Sequence, residues 1–154
     1  MTNPQATELR DYVRKQTITS IVITMAISAG FFLLVFGSTD PIAVWAPDNL
    51  ALDFLPQSGA ASFMAALVPA VQTRAAIAKG NLPGTATSIA SILVRAIMLA
   101  LLALVLAGIV IVALKLSGIA VFPWGTAFAI KVAYGALLGL IITPPAVRAL
   151  LPKG

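Results

Sequence analysis

Two uncharged apolar runs, each 19 residues long, constrain most strongly what this chain can fold into. They are residues 18–36 and 96–114, and basic residues stand close to both. At about 1.5 Å of rise per residue, such a helix is about 28 Å long, close to the roughly 30 Å of a bilayer's hydrocarbon layer. Each run must be helical in lipid, because a lone strand would leave its backbone polar groups unpaired. The sequence therefore predicts two membrane-spanning helices here.

Two further segments are apolar but carry polar interruptions. Residues 54–73, FLPQSGAASFMAALVPAVQT, form an uncharged run of 20 that contains Pro56 and Pro69. Pro56 fits the first turn of a helix, whereas Pro69 lies inside and should kink the helix or free a backbone carbonyl. Residues 124–146 are interrupted only by Lys131. The sequence thus predicts an all-α membrane protein, a bundle of four transmembrane (TM) helices.

Composition shows that lipid surrounds most of the chain. Charged residues make up 10% of it, against about 25% in soluble domains. Cysteine and histidine are both absent, which excludes disulfides, thiol or Ser–His nucleophiles and imidazole ligands. The five carboxylates lie outside the apolar runs, so a proton relay is not expected. We expect no catalytic residue, no metal, no cofactor and no enzymatic activity.

The basic residues predict the orientation. They stand singly near span boundaries, without the stripe that a nucleic-acid partner would need. The first loop on the opposite side has three Asp and no basic residue. By the positive-inside rule, the termini are cytoplasmic (N-in, C-in) in a bacterial inner membrane. Eight of the ten basic residues fall on that side: Arg10, Arg14, Lys15, Arg74, Lys79, Arg95, Arg148 and Lys153.

The predicted chain is a single membrane domain, 1–154. The first helix should begin near Thr7 or Glu8, ahead of the bilayer, because no helix breaker follows Pro4. The predicted segments are a cytoplasmic lead-in 1–16, TM1 17–37, an outer loop 38–55, TM2 56–79, a cytoplasmic loop 80–88, TM3 89–114, an outer loop 115–123, TM4 124–148 and a cytoplasmic tail 149–154.

A near repeat links the two halves. RAAIAKG at 74–80 returns as RALLPKG at 148–154, a shift of 74 residues, and each copy follows a span that returns to the cytoplasm. One interpretation is a duplicated helical hairpin with both copies inserted in the same direction. The other is that selection for cytoplasmic basic residues produces similar endings. In both, the basic residues anchor helix ends at lipid headgroups: Arg74, Lys79, Arg148 and Lys153.

Two consecutive segments have a distinctive pattern. The first is a helix with scattered Ser and Thr, TITSIVITMAIS, and the second is a returning helix in which proline stands close to arginine, DFLPQSGAASFMAALVPAVQTR. This alternation resembles small two-helix bacterial membrane families of uncharacterised function. The resemblance covers residues 17–80 and, as a second copy, 88–154. It implies a helical hairpin unit, in possible tandem duplication, and implies no reaction.

Lys131 is the most informative single residue, because an ionisable group within a span is by default a functional hypothesis. Gly135 and Gly139 follow at four-residue spacing on the same face, and Tyr134 lies beside it. A lysine above a glycine groove could bind an anion such as a carboxylate, a phosphate or a lipid headgroup. The alternative is a lysine that extends toward the outer surface and meets Asp40, Asp48 or Asp53.

The first span carries a stripe of Ser20, Thr24 and Ser28, with Ala26 and Gly30 as a small-xxx-small pair. These residues predict close helix packing and hydrogen bonds between helices. The stripe could equally line a polar path. The third span has no polar side chain between 96 and 114 and should face lipid or a partner. The outer loop 38–55 is either a lid or docking surface, or a covered connector.

Two functions remain open from the sequence. The first is an accessory or structural subunit that docks on a larger membrane complex or self-associates. The second is a small permease or binding protein for an anionic or amphiphilic ligand, acting as a homo-oligomer. The bilayer is a partner in both.

Overall fold

The computed structural model describes residues 4–152 and consists of four long helices and one pair of two-residue strands. Each helix is long and apolar enough to cross a membrane, so the predicted four-helix architecture is confirmed. The elements in chain order are α1 Pro4–Phe36, β1 Ile42–Ala43, α2 Phe54–Ala78, α3 Ile89–Ser117, β2 Val121–Phe122 and α4 Trp124–Arg148.

Several helix ends differ from the predicted bounds. α1 is already helical at Pro4, ahead of the predicted start near Thr7 or Glu8, since proline is tolerated in the first turn of a helix. α2 begins at Phe54, before the predicted start at 56. α3 runs past residue 114 to Ser117 and ends where Gly118 adopts a left-handed φ of 68°.

The strand pair was not predicted. β1 and β2 lie in the two loops expected to be outer loops and pair antiparallel, with Ile42 opposite Phe122 and Ala43 opposite Val121. Their β-branched and aromatic residues favour strands. Two residues are nevertheless too short a run to show an alternating pattern in the sequence.

The helices run up and down, so the beginning of α1 and the end of α4 lie at the same end of the bundle. There Val13 packs against Val147 and Leu151. We call this the basic end, because Arg10, Arg14, Arg74, Arg95 and Arg148 lie there. We call the opposite end, which holds Asp40, Asp48 and Asp53, the acidic end.

Helix neighbours do not follow chain order. α1 packs mainly on α4, α3 packs mainly on α2, and α2 and α4 pack against each other at the centre, while α3 and α4 hardly touch. Small side chains line the α2–α3 contact and let the backbones approach closely. They are Ala61, Ala65 and Ala66 on α2 and Ala96, Ala103 and Ala107 on α3.

The segment between α1 and α2 covers the acidic end. The indole N–H of Trp124 donates to the Gly37 carbonyl at 2.7 Å, and its backbone N–H donates to Asp40 Oδ1 at 2.9 Å. Asp48 Oδ2 accepts from the Ala43 N–H at 2.7 Å. The segment also contributes fully buried apolar side chains: Ile42, Val44, Leu50 and Ala51.

Candidate functional site

A polar core lies between α1, α2 and α4 and extends along most of the bundle. We use this name for the buried polar side chains of the described residues. None of them belongs to α3. They are Thr17, Ser20, Thr24 and Ser28 on α1, Gln57, Ser58, Ser62 and Thr73 on α2, and Lys131 and Thr143 on α4.

Lys131 forms a buried ion pair near the acidic end. Its Nζ lies 2.6 Å from Asp53 Oδ2, and the two side chains are 0% and 9% exposed. The ammonium also lies 4.3 Å from the centroid of the Phe54 ring, a cation–π contact. Side chains on a helix lean toward its N-terminus, and α4 begins at the acidic end, so the lysine is directed toward Asp53. Of the three carboxylates considered from the sequence, Asp53 is the partner.

Gln57 joins three helices one turn deeper. Its Nε2 donates to Ser28 Oγ on α1 at 2.6 Å and to the Lys131 carbonyl on α4 at 3.1 Å. On the next α2 residue, Ser58 shares a hydrogen bond of 2.7 Å with the Tyr134 hydroxyl. The Tyr134 ring meets Phe54 edge to face at 4.9 Å. These contacts fix α2 against α4 directly below the ion pair.

The glycine face of α4 is filled by α1. A Cβ on Gly135 would collide with Ser28 Oγ and lie 2.8 Å from the Thr24 carbonyl oxygen. A Cβ on Gly139 would lie 2.7 Å from Thr24 Oγ1 and 2.9 Å from Ile21 Cα. The glycine groove, one of the two alternatives that the sequence left open for Lys131, therefore holds a neighbouring helix, because only glycine lets the two backbones come this close.

The middle of the polar core compensates for Pro69. A proline inside a helix removes the hydrogen bond to the carbonyl four residues earlier, here that of Ala65. The Thr143 hydroxyl lies 3.0 Å from this carbonyl oxygen and 2.7 Å from Ser20 Oγ. Pro69's own carbonyl accepts from Thr73 Oγ1 at 2.7 Å. The Thr143 hydroxyl therefore lies within hydrogen-bond distance of the carbonyl that Pro69 leaves without its helical donor.

The two groups predicted on α1 lie on different faces. Ser20, Thr24 and Ser28 face α2 and α4, and all three are buried. Ala26 is exposed, and no atom outside its own helix lies within 4 Å of the position of a Cβ on Gly30. The small-xxx-small pair is therefore not packed against another helix of the described part of the chain.

The predicted headgroup anchors have different surroundings. Arg74 Nε donates to the Thr87 carbonyl at 2.8 Å and ties α2 to the loop before α3. Lys79 and Arg148 are exposed at the ends of α2 and α4. Lys153 lies outside the described residues.

Sequence reasoning missed Gln57, Ser58 and Thr143 as members of the polar core, and it could not choose Asp53 over Asp40 and Asp48 as the partner of Lys131. Asp53 is 78 residues from its partner, and nothing local connects the two. Pro69 did carry a usable signal, because a proline within a span requires a donor for the carbonyl of residue 65. The pattern could not show that Thr143 supplies it.

The chemistry available in the polar core is that of one ion pair, hydroxyls and an amide. In residues 4–152 there is no group of three or more acidic residues that could hold a metal ion. The buried Gln57 Oε1 and Ser62 Oγ have no hydrogen-bond partner among the residues that the structure describes. Comparisons with protein families, curated proteins and solved structures find no match for this chain.

Proposed function

We propose that this chain is a non-enzymatic, multi-pass subunit of a bacterial inner membrane that acts by association, pairing with a second copy of itself through α1. The observation that carries the proposal is the outward Ala26–Gly30 pair. The spacing of the two small residues suits a helix contact; among the described residues, Ala26 is exposed and nothing lies within 4 Å of a Cβ on Gly30.

The surroundings of this pair support a helix–helix contact. Val22 and Leu33 flank it on α1 and are 61% and 51% exposed. Small residues four apart let a second helix approach closely, and larger apolar neighbours then pack around the crossing point. A second copy would bring the same face, as a twofold dimer requires. The alternative is that this face docks on a different membrane protein, and the experiments below distinguish the two.

The polar core supports association rather than catalysis. Lys131 is neutralised by Asp53, and most of the buried hydroxyls are bonded to a neighbouring helix or to their own. These bonds stabilise the contacts between helices. The polar core is better suited to holding α1 in place, so that its outer face is presented in a fixed orientation.

Cysteine cross-linking tests the dimer, because the chain has no cysteine of its own. We expect the variant Ala26→Cys to form a disulfide-linked dimer in membranes treated with a mild oxidant. The control is Ile109→Cys, which is 60% exposed on α3 at a similar distance from the acidic end, and it should stay monomeric. The readout is the fraction of dimer on a non-reducing gel.

Native mass spectrometry of gently extracted protein gives the deciding comparison. A dimer mass supports self-association, whereas a stoichiometric foreign protein replaces it with docking on another complex. A monomer without cross-linking would overturn both forms of the proposal.

We also propose that both termini are cytoplasmic, on the basis of the arginines at the basic end. In intact cells, a membrane-impermeant maleimide should label Thr39→Cys, which is exposed at the acidic end. The same reagent should label Ala86→Cys, exposed in the loop between α2 and α3, only after the cells are opened. The reverse labelling pattern would mean that the basic end, with both termini, lies outside the cell.

A duplicated hairpin is the third part of the proposal. α1 packs on α4 as α3 packs on α2, with α2 and α4 between them, an arrangement that a twofold axis between α2 and α4 would generate. Such an axis brings equivalent positions into contact. Gln57 and Lys131, which are 74 residues apart, make such a contact through the Gln57 amide, and 74 is also the shift that relates the two endings.

A small permease or binding protein for an anionic or amphiphilic ligand is the second candidate. It is favoured by Gln57 Oε1 and Ser62 Oγ, two polar atoms buried near Lys131 and Tyr134 without partners. The double variant Asp53→Asn/Lys131→Met tests it. Loss of uptake or ligand binding with retained assembly would favour this candidate, and unchanged uptake would remove Lys131 from any transport role.

A further inference from the structure

A groove of about 650 Å³ runs between α1 and α4 at the basic end. One face of α1 forms one wall, and the last turns of α4 with the residues after it form the other. Three arginines, Arg10, Arg14 and Arg148, stand along the groove, and no carboxylate lines it. The remaining lining is mainly aliphatic, so the groove combines a cationic rim with an apolar floor.

The guanidinium groups of the three arginines have no partner among the described residues, since no side-chain hydrogen bond or ion pair within 4–152 involves them. This distinguishes them from Arg74, which donates to the Thr87 carbonyl, and from Arg95, which donates to the Ala149 carbonyl at 3.2 Å. Their guanidinium groups are therefore available to an anion from outside the chain. Guanidinium groups bind phosphate oxygens through paired hydrogen bonds.

The positive charge lies at one end of the groove, whereas apolar side chains line its whole length. From Arg10 to Ile21 α1 rises about 16 Å, and from Arg148 back to Leu140 α4 rises about 12 Å in the same direction. The lining thus passes from guanidinium groups, where a span meets the headgroup layer, to side chains at the depth of acyl chains. A ligand that fits both ends has an anionic head and a hydrocarbon tail.

We propose that this groove is a binding site for one anionic phospholipid from the leaflet at the basic end. The phosphate is held by Arg10, Arg14 and Arg148, and an acyl chain lies against Ile18, Ile21 and Leu140. Basic pockets between transmembrane helices suit anionic headgroups. The site does not depend on self-association, because its residues lie apart from Ala26 and Gly30.

The test uses the full chain, purified in detergent and stripped of lipid. It is titrated with dioleoyl phosphatidylglycerol or with dioleoyl phosphatidylcholine, and bound lipid is counted by native mass spectrometry. We expect one phosphatidylglycerol to bind and phosphatidylcholine to bind far more weakly. Arg14→Gln/Arg148→Gln should weaken phosphatidylglycerol about 25-fold, at roughly fivefold for each arginine, whereas Arg14→Lys/Arg148→Lys should retain most of the affinity.

Two further variants separate this site from general attraction to a basic surface. Lys15→Gln/Lys79→Gln removes the same charge from exposed positions outside the groove and should change the affinity less than twofold. Leu140→Trp keeps all three arginines and fills the apolar end of the groove, so it should abolish binding of phosphatidylglycerol. This variant tests the proposal even if the arginine variants do not fold. Any one of three results overturns the proposal. Phosphatidylglycerol and phosphatidylcholine bind equally well, the lysine double variant loses as much affinity as the arginine double variant, or Leu140→Trp binds phosphatidylglycerol as the parent chain does. Competition by inorganic phosphate at millimolar concentration would assign the site to a soluble phosphate instead.

Discussion

Replacement of Lys131 by methionine lowers the free energy of unfolding by about 3–5 kcal/mol, the usual cost of removing one partner from a buried ion pair. The substitution leaves the Asp53 carboxylate, 9% exposed, without its cation. It also removes the ammonium from the Phe54 ring. The measurement is unfolding of the detergent-solubilised chain in increasing sodium dodecyl sulfate, followed by tryptophan fluorescence.

The double variant Asp53→Asn/Lys131→Met recovers most of the loss, because no unpaired charge remains in the bundle. Lys115→Met controls for the loss of a lysine. This residue is exposed at the end of α3, and its substitution should change stability by less than about 0.5 kcal/mol. If Lys131→Met proves as stable as the Lys115 control, Lys131 and Asp53 do not form a buried pair in the membrane.

Alanine at Gly135 destabilises the contact between α1 and α4 by about 1–3 kcal/mol, the range for inserting atoms into a packed core. The new Cβ lies 2.8 Å from the Thr24 carbonyl oxygen. Because this atom belongs to the backbone, the whole of α1 must shift. Valine at the same position has two methyl groups more than alanine and should lower the free energy of unfolding further. Both variants are measured by the same detergent unfolding assay.

Gly108→Ala is the matched control on α3, because no atom outside its own helix lies within 4 Å of its Cβ position. Alanine favours a helix over glycine, so this variant should equal the parent chain or exceed its stability by up to about 1 kcal/mol. Equal effects at Gly135 and Gly108 would mean that α1 does not pack against the glycine face of α4.

The helices could be predicted because bilayer thickness fixes their length, and a run of apolar residues is a local property of the chain. The neighbours of each helix could not be predicted, since α1 packs on α4 through residues more than one hundred positions apart. Such a contact depends on how well one face of α1 fits one face of α4. The sequence shows each face separately: the serine and threonine stripe on α1 and the glycines on α4.

In the polar core, too, single residues could be identified from the sequence but their partners could not. Lys131 stands out because it is the only charge in an apolar run, and the two glycines stand out by their spacing. Their partners do not stand out. Asp53 looks like an ordinary residue of a loop, and Thr143 beside Pro144 looks like part of a helix end. What selects these partners is the requirement that each buried charge, and each carbonyl freed by a proline, finds an opposite group.

The attachments of α1 are distributed unequally along its length. At the acidic end it continues into a segment held by the Trp124 hydrogen bonds and by the pairing of β1 with β2. At the basic end α1 packs on α4 through aliphatic contacts, and a hydrogen bond of 3.2 Å joins Tyr12 to Thr73 on α2. The free energy of local opening is therefore lowest at that end. Local opening of α1 therefore begins at its first turns, which carry Arg10 and Arg14, while its bonds and close packing to α2 and α4 hold the rest of the helix in place.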